Sequence, residues 1–365
     1  MEKSKLLIYA HYYIPDTAST GQILRELAEG MSDKFDITVI CVVPSYLGTV
    51  EDRYKTQKYY EETINGVKVI RIRVPEFNKG DKMSRVKNIL AYFFGAMSAT
   101  FKVGKTDYVL SVSQPPILGG LLGVWGKWIK RAKFIYNIQD FNPEQILAVG
   151  YSKNKLVTGM MTRLDKFSCK HSDLIITVGR DLVETVKNRF RGKKVPNTVM
   201  INNWVDEKEI YPLPQDHPSV AEFRKTYGLD NKFVIMYSGN IGLYYDLEKL
   251  IKVLKQFRKG YTLSGVYEEG PKTKDGREVV FAFVGSGSVL DKLVMYCQKH
   301  NFENIAFVPY QDKADLVYSL NAGDVHWCVN AKGIKGVSCS SNVYKTVKIS
   351  EGKYITHNLT GQLAA

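Results

Sequence analysis

Two carboxylates, Asp140 and Glu144, stand just past the apolar run 134–138, with Gln139, Asn142 and Pro143 around them. Carboxylates at the carboxyl end of a buried strand can orient sugar hydroxyls or shuttle a proton. Asn142-Pro143-Glu144 also has the form of a helix start, so capping is the competing role. A second chemistry lies in glycines. The β-branched apolar run 233–237 turns at Gly239, passes Asn240 and Gly242, and continues with Leu247, Leu250, Ile251 and Leu254 at helical spacing. Strand, glycine turn and helix present bare amides and a helix N-terminus to a phosphate, or form a tight turn with no ligand. Gly285 and Gly287 follow the apolar run 279–284 in the same way. They lack the third glycine of a dinucleotide fingerprint and the Gly-Lys-Ser/Thr of a P-loop. No carboxylate pair is spaced to hold a divalent ion, so no metal is expected.

These residues need elements to hold them. Short β-rich runs predict strands over 6–10, 37–43, 108–112, 134–138, 174–178 and 199–201, and Asn65-Gly66 predicts a hairpin turn before an alternating strand over 67–74. Thr20-Gly21-Gln22 opens a helix with Ile23, Leu24, Leu27, Ala28 and Met31 on its apolar face. Ser84 is placed to cap a helix over 85–102, apolar nearly all round and therefore buried or partly dipped in lipid. Alternating strands and helices give an α/β fold with a doubly wound parallel sheet. Ligands gather at the carboxyl ends of such strands, which brings forward 11–21, 113–116, 139–144 and 179–180. The proline-rich stretch 203–218 reads as an interdomain linker. The expected division is a first domain over 1–206, a linker over 207–220 and a second domain over 221–365. The polar stretch 261–277 reads as a mobile insertion, and strands over 305–310 and 324–329 complete those that can be placed.

The chain has 365 residues, enough for about two domains, and no apolar run approaches the ~20 residues that span a bilayer. The N-terminal apolar run is too short for a signal peptide. Five scattered cysteines (Cys41, Cys169, Cys297, Cys328, Cys339), odd in number and without a C-x-x-C spacing, read as buried thiols of the cytoplasm. The formal net charge is +14. Between Arg85 and Lys133 eight basic residues (Arg85, Lys87, Lys102, Lys105, Lys127, Lys130, Arg131, Lys133) face one acid, Asp107, with Tyr92, Phe93, Phe94, Phe101, Trp125 and Trp128 among them. That mixture suits an anionic membrane surface, a nucleic acid, or a solvated face over core aromatics. No nucleic-acid-binding motif accompanies it.

Together these stretches resemble glycosyltransferase family 4, retaining enzymes of the GT-B fold. Tyr12-Tyr13-Ile14-Pro15-Asp16 with Thr20-Gly21, Ser172-Asp173-Leu174-Ile175-Ile176-Thr177-Val178 and Ile201-Asn202-Asn203-Trp204-Val205-Asp206 match its acceptor half. Ser238-Gly239-Asn240-Ile241-Gly242, Phe283-Val284-Gly285-Ser286-Gly287 and Ala322-Gly323-Asp324-Val325 match its donor half. Gln139-Asp140-Phe141-Asn142-Pro143-Glu144 is most similar to the branch that builds bacterial surface polysaccharides (lipopolysaccharide, O-antigen, capsule) on lipid carriers. The resemblance implies two Rossmann-like domains facing a cleft. A nucleotide-sugar, UDP-linked, would be consumed as substrate, with no cofactor and no metal. The acceptor would be a lipid-linked or oligosaccharide chain, the location the inner face of the plasma membrane, and nucleic acid no partner. Gly239, Asn240 and Gly242 would approach the diphosphate, Gly285, Gly287 and Tyr310 would hold the nucleoside, and Gly21 would close over the phosphates. Asp140 and Glu144 would be the catalytic pair.

The chain departs from the family near its end. Ser340-Ser341-Asn342-Val343-Tyr344 stands where the family has Pro-Ser-Lys-x-Tyr, which leaves Lys332 and Lys335 as the nearest cations. The stretch 345–365 matches neither the family's glutamate pair nor its last helix, Glu351-Gly352 included. Only some four strands of the second domain can be placed before it. The expectation is therefore an incomplete, truncated second domain that binds donor weakly and turns over poorly. The rival readings are a non-catalytic protein that binds membrane or a partner enzyme, and a sugar-nucleotide 2-epimerase of the same fold.

Overall fold

The computed structural model describes residues 3–16, 18–78, 81–148, 150, 154–257, 271–338, 355–358 and 362–363. The chain divides into two units: Met1–Asn202 with Gly336–Cys339, and Asn203–Lys335 with Ser340–Ala365. The first boundary falls four residues before the expected one. The 207–220 stretch is tied into the second unit, because Ile210 is buried there against Val317 and Leu320. Asn321 adds hydrogen bonds to Leu213 N and Tyr211 O at 2.8 and 3.0 Å.

The first unit is built on an eight-stranded sheet. Its strands are β1 (Ser4–Tyr9), β2 (Phe35–Val42), β3 (Tyr59–Ile64), β4 (Val67–Ile72), β5 (Tyr108–Val112), β6 (Lys133–Ile138), β7 (Leu174–Thr177) and β8 (Thr198–Met200). They lie in the order β3-β4-β2-β1-β5-β6-β7-β8, all parallel except the β3–β4 hairpin. That hairpin turns on Asn65 and Gly66, at φ 49° and 81°, a left-handed pair that Asn-Gly accepts at little cost. Strand order reverses beside β1, so the crevice that binds ligands in such sheets opens beyond the carboxyl ends of β1 and β5.

Helices cover both faces of this sheet. They are α1 (Ser19–Gly30), α2 (Lys82–Thr100), α3 (Leu118–Lys130), α4 (Glu144–Ala148), α5 (Lys155–His171) and α6 (Arg180–Arg189). One core packs Leu24 and Ala28 of α1 on Ile8, Val39 and Leu110, and the other packs Tyr92 and Ala96 of α2 with Tyr9, Ile72 and Phe134. Helix α3 lies close on the sheet because Gly123 faces the Phe134 ring, where a Cβ would stand 2.0 Å from it.

One expectation for α2 is corrected: its cap is Asp81, not Ser84, and the Asp81 carboxylate accepts from Met83 N and Ser84 N at 2.9 and 3.2 Å. Of the two alternatives for its apolar surface, burial all round does not hold. Asn88, Tyr92, Ala96 and Ala99 face the core, whereas Met83, Val86, Leu90 and Phe94, three or four residues apart, form an exposed stripe. Among the described residues no helix is long and apolar enough to cross a membrane.

The second unit has a sheet of β9 (Phe233–Ser238), β10 (Val279–Val284), β11 (Ile305–Val308), β12 (Val325–Asn330), β13 (Ile355–Asn358) and β14 (Gln362–Leu363), in the order β11-β10-β9-β12-β13-β14. Its helices include α7 (Pro218–Thr226), α8 (Leu247–Leu254), α9 (Leu290–Lys299) and α10 (Leu316–Asn321). The expectation of a sheet left short at four strands is thereby corrected. β13 adds in parallel to β12, and β14 adds antiparallel to β13. These two strands have four and two residues, too few to show a period in the sequence. Asn342 and Glu351-Gly352 lie outside the described residues, as does most of 261–277.

Candidate functional site

In the first unit the loops after β1, β5 and β6 surround a cavity of about 190 Å³, walled by His11, Tyr12, Arg85, Gln114, Asp140 and Asn142. One water needs only about 10–15 Å³, so a water or two would leave most of it unfilled. The three loops are fixed in different ways. After β1, Arg71 of β4, itself buried, donates to Ile14 O, and the Asp16 carboxylate accepts from Ser45 N and Tyr46 N at 3.1 and 3.0 Å. Gly21 sits in the first turns of α1 with the Tyr12 carbonyl against it, and a Cβ there would lie 3.0 Å from that oxygen.

The loop after β6 carries Asp140. Ser113 Oγ accepts from Gln139 N and Asp140 N at 3.1 and 3.3 Å. On its other side the returning segment 336–338 pairs with it: Asp140 and Ser338 form an antiparallel bridge, and Phe141 N donates to Val337 O at 2.7 Å. That segment is itself held by α6, through Gly336 N to the Asp181 carboxylate and Thr185 Oγ1 to Gly336 O, at 2.7 and 2.6 Å. Burial pushes the Asp140 carboxyl above the usual range, and the side chains of Ser338 and Gln145, hydrogen-bonded to it, oppose the shift only in part.

Glu144 lies behind the loop and is not on the cavity wall. Its carboxylate is gripped by Arg189, with Nε to Oε1 at 3.0 Å and a second contact from Nη2. The same guanidinium pairs with the buried Asp165, donates to Asn142 O at 3.1 Å and lies 4.3 Å over the Phe141 ring. Tyr136 OH completes the group with a 2.8 Å bond to Asp165. The structure therefore brings Asp140 to the cavity and engages Glu144 in holding the loop.

Two wall residues, Arg85 and Asn88, escaped the reading of the sequence as site residues; they come from α2, whose surroundings the sequence did not disclose. His11 lies two residues past β1, inside the stretch 11–21 that its place at a strand end brought forward, though no role of its own was read for it. It is 7% exposed, and its ring lies 4.1 and 4.8 Å from those of Tyr12 and Tyr92. Burial pulls its pKa down to about 3; a hydrogen bond with Asn88 opposes this and the Arg85 charge adds to it.

In the second unit two turns interlock at the ends of β9 and β10. Gly239 N donates to Val284 O and Ile241 N to Ser286 O, both at 2.9 Å, and Val289 N donates back to Ile241 O at 3.1 Å. Glycine is required at the contact. Gly285 has φ 137° and a Cβ there would stand 2.1 Å from Gly239 O, while one on Gly287 would stand 2.3 Å from Ile241 O. Gly242 differs. Its φ is −116°, so positive φ is not its reason for being glycine. A short 3-10 turn, Leu243–Tyr245, separates it from α8, so the amides of 239–242 belong to a loop and not to the first turn of the helix. Gly285 N donates to Val308 O at 3.0 Å, which ties in the stretch leading to Tyr310, itself 60% exposed. Lys335 is exposed beyond a turn in which Ala331 N donates to Tyr244 O at 2.8 Å.

No family model matches the chain. Among curated proteins it is similar to glycosyltransferase WbjE of Pseudomonas aeruginosa, 22% identical over 74% of this chain and 63% of that one. It is also similar to the colanic acid biosynthesis glycosyl transferase WcaI of Escherichia coli, 23% identical over 96% of this chain and 83% of that one. The chain thus spans less than two thirds of the length of WbjE. Among solved structures it matches sucrose-phosphate synthase of Thermosynechococcus elongatus, with a TM-score of 0.65 at 12% identity, covering 98% of this chain and 81% of that one. Anabaena HepE in complex with UDP-glucose matches with a TM-score of 0.56 at 13% identity, covering 89% and 74%. The fold is GT-B, and the chain resembles bacterial polysaccharide glycosyltransferases.

Proposed function

From a GT-B fold and a likeness to polysaccharide glycosyltransferases, we propose that this protein moves a hexose from a UDP-linked donor to a lipid-linked or oligosaccharide acceptor. It does so with retention and without a metal, as in family 4. The observation that carries the reading is the pair of interlocked glycine turns, which leaves backbone at the ends of β9 and β10 where side chains would otherwise stand. HepE, of the same fold, was solved with UDP-glucose. Gly239 N and Ile241 N are already engaged with Val284 O and Ser286 O, so the amides of Asn240 and Gly242 would take up charge as the bond between the anomeric carbon and the diphosphate breaks. Gly285, Gly287 and Tyr310 would hold the nucleoside, and Lys335 would supply a positive charge near the phosphates. Asp140 would act on the acceptor: a carboxylate with a raised pKa is the stronger base for a hydroxyl proton. Glu144 would serve as the positioning partner of Arg189.

The acceptor's lipid has a place to rest. The exposed stripe of α2 (Met83, Val86, Leu90, Phe94) continues to Phe101 and is accompanied by Arg85, Lys87 and Lys102. Apolar residues flanked by cations fit an anionic membrane, with about 1 kcal/mol from each basic residue near the surface. The four described cysteines are buried, which agrees with work on the cytoplasmic side. Release of UDP from a panel of UDP-sugars, with and without prenyl diphosphate-linked saccharides, tests the proposal. A transferase needs the acceptor, a 2-epimerase consumes donor without it, and a binding protein does neither. Flotation with anionic vesicles that ignores both lipid charge and salt would remove the membrane part.

A further inference from the structure

Two buried polar atoms without a protein partner belong to residues of one wall: His11 Nε2 and Asn142 Oδ1. An unpartnered buried polar atom costs about 1–3 kcal/mol, so a native protein that keeps two around one cavity has a reason to do so. Asn88 donates one amide N–H to Pro75 O at 2.8 Å and keeps a second N–H and its carbonyl oxygen for the bond with His11. That bond engages Nδ1, since Nε2 has no protein partner, and Nε2 is left with a lone pair or an N–H for whatever fills the cavity. Asn142 Oδ1 is an acceptor, and the Asp140 carboxyl lies on the same wall. The cavity therefore holds unfilled hydrogen-bonding positions at these points, and its occupant must complete them with groups that donate or accept, as hydroxyls do both. Aromatic and proline surfaces alongside (Tyr12, Phe77, Pro115, Pro116) suit the faces of a carbon ring. A ligand rich in O–H donors and apolar on its ring faces is a pyranose.

We propose that this cavity receives the acceptor's terminal sugar, and that His11 Nε2 selects it through a hydrogen bond with one of its hydroxyls. The inference rests on the glycosyltransferase reading and assigns His11 as a specificity-determining residue. A site built to bind a hydroxyl discriminates strongly against the analogue without it, because the buried partner is then left unpaired.

The test uses prenyl diphosphate-linked hexoses and N-acetylhexosamines as acceptors, with monodeoxy analogues of the best one, on the whole chain and two variants. His11→Phe keeps a ring and removes the polar atom; His11→Gln restores a polar group at about the position of Nε2. The expected result is a rise of about 10–100-fold in acceptor KM for His11→Phe, with recovery in His11→Gln. UDP affinity and the slow hydrolysis of donor by water should stay unchanged. One monodeoxy acceptor should lose a similar factor with the wild type and nothing further with His11→Phe. Equal use of all acceptors by wild type and His11→Phe would overturn the inference and leave the transferase reading standing. No use of any acceptor by the wild type would overturn both. If His11→Phe does not fold, the monodeoxy series on wild type and His11→Gln decides: a wild type indifferent to every single hydroxyl refutes the role of His11.

Discussion

The two units build their sites from different materials. The first surrounds a cavity with side chains, and a linked group of Arg189, Asp165 and Tyr136, buried, with the half-buried Glu144, holds the loop that presents Asp140. The second removes side chains, so that two glycine turns meet backbone to backbone at the ends of β9 and β10. A site made of side chains can be retuned by substitution for a new acceptor while its sheet stays the same. A site made of backbone accepts few substitutions and suits a group common to many donors, the diphosphate. The contrast breaks if variants of the first unit alter UDP binding or variants of the second alter acceptor binding alone.

The largest effect should come from Asp140→Asn. Loss of a group acting on a proton lowers turnover by about 10²–10⁴, while UDP affinity, which the proposed function assigns to the second unit, should hold. Stability should move the other way. The folded-state pKa of Asp140 is raised, so its contribution to stability is full below the unfolded value and is lost as pH rises through the folded one. The amide does not ionise, so the variant should melt at or above the wild-type temperature at pH 7, with the difference fading below the ordinary carboxyl value of 3.8. A melt that drops together with turnover would make Asp140 a structural residue.

Next is Arg189→Met, which leaves the buried Asp165 and the half-buried Glu144 beside each other without their cation. Removing one partner of such a group costs about 3–5 kcal/mol, read as a lower denaturation midpoint. Turnover in the folded fraction should fall with it, because the loop of Asp140 and Asn142 loses its anchor. The Arg189→Met, Glu144→Gln double variant should recover part of the loss. A Glu144→Gln variant that folds normally yet turns over as poorly as Asp140→Asn would restore Glu144 as a catalytic group.

The same contrast governs what the sequence disclosed. Glycines and turns announce themselves locally: Asn65-Gly66, the run into Gly239 and the run into Gly285 were legible because the constraint lies within a few neighbouring residues. The strand–helix alternation gave the sheets for the same reason. The cavity was half legible. Asp140 was found from its place after a strand, but its anchor Arg189 is 45 residues from Glu144 in the chain, and Ser338 returns to it from beyond β12. Such pairings depend on tertiary packing and have no local period. The exposed stripe of α2 was hidden because a helix with aromatics on several sides does not say which side is covered. β13 and β14 were missed because they are short and sit after a departure from the family pattern.

In the second unit, Gly285→Ala should cost about 1–3 kcal/mol. The methyl would meet the Gly239 carbonyl at 2.1 Å, backbone against backbone, at a φ that alanine rarely adopts. UDP binding by calorimetry should weaken as the two turns part, and acceptor binding should not. Unchanged UDP affinity would mean that the turns are scaffold only.

Gly242→Ala is the smallest perturbation and the sharpest test of what the turns are for. Gly242 already has a φ open to any residue, −116°. Its added Cβ would meet the Asn240 Nδ2 at 3.0 Å, the end of a side chain that can swing away, whereas at Gly285 the obstacle is backbone. Stability should therefore change by less than about 1 kcal/mol, the ordinary range for a tolerated substitution. If the amides of Asn240 and Gly242 meet a diphosphate, even one methyl beside them stands in the way of the phosphate oxygens, and UDP should bind several-fold more weakly to a protein that melts normally. Gly285→Ala confounds folding with binding; Gly242→Ala separates them. A variant with wild-type melting and wild-type UDP affinity would place the diphosphate elsewhere and leave Gly242 as a turn residue.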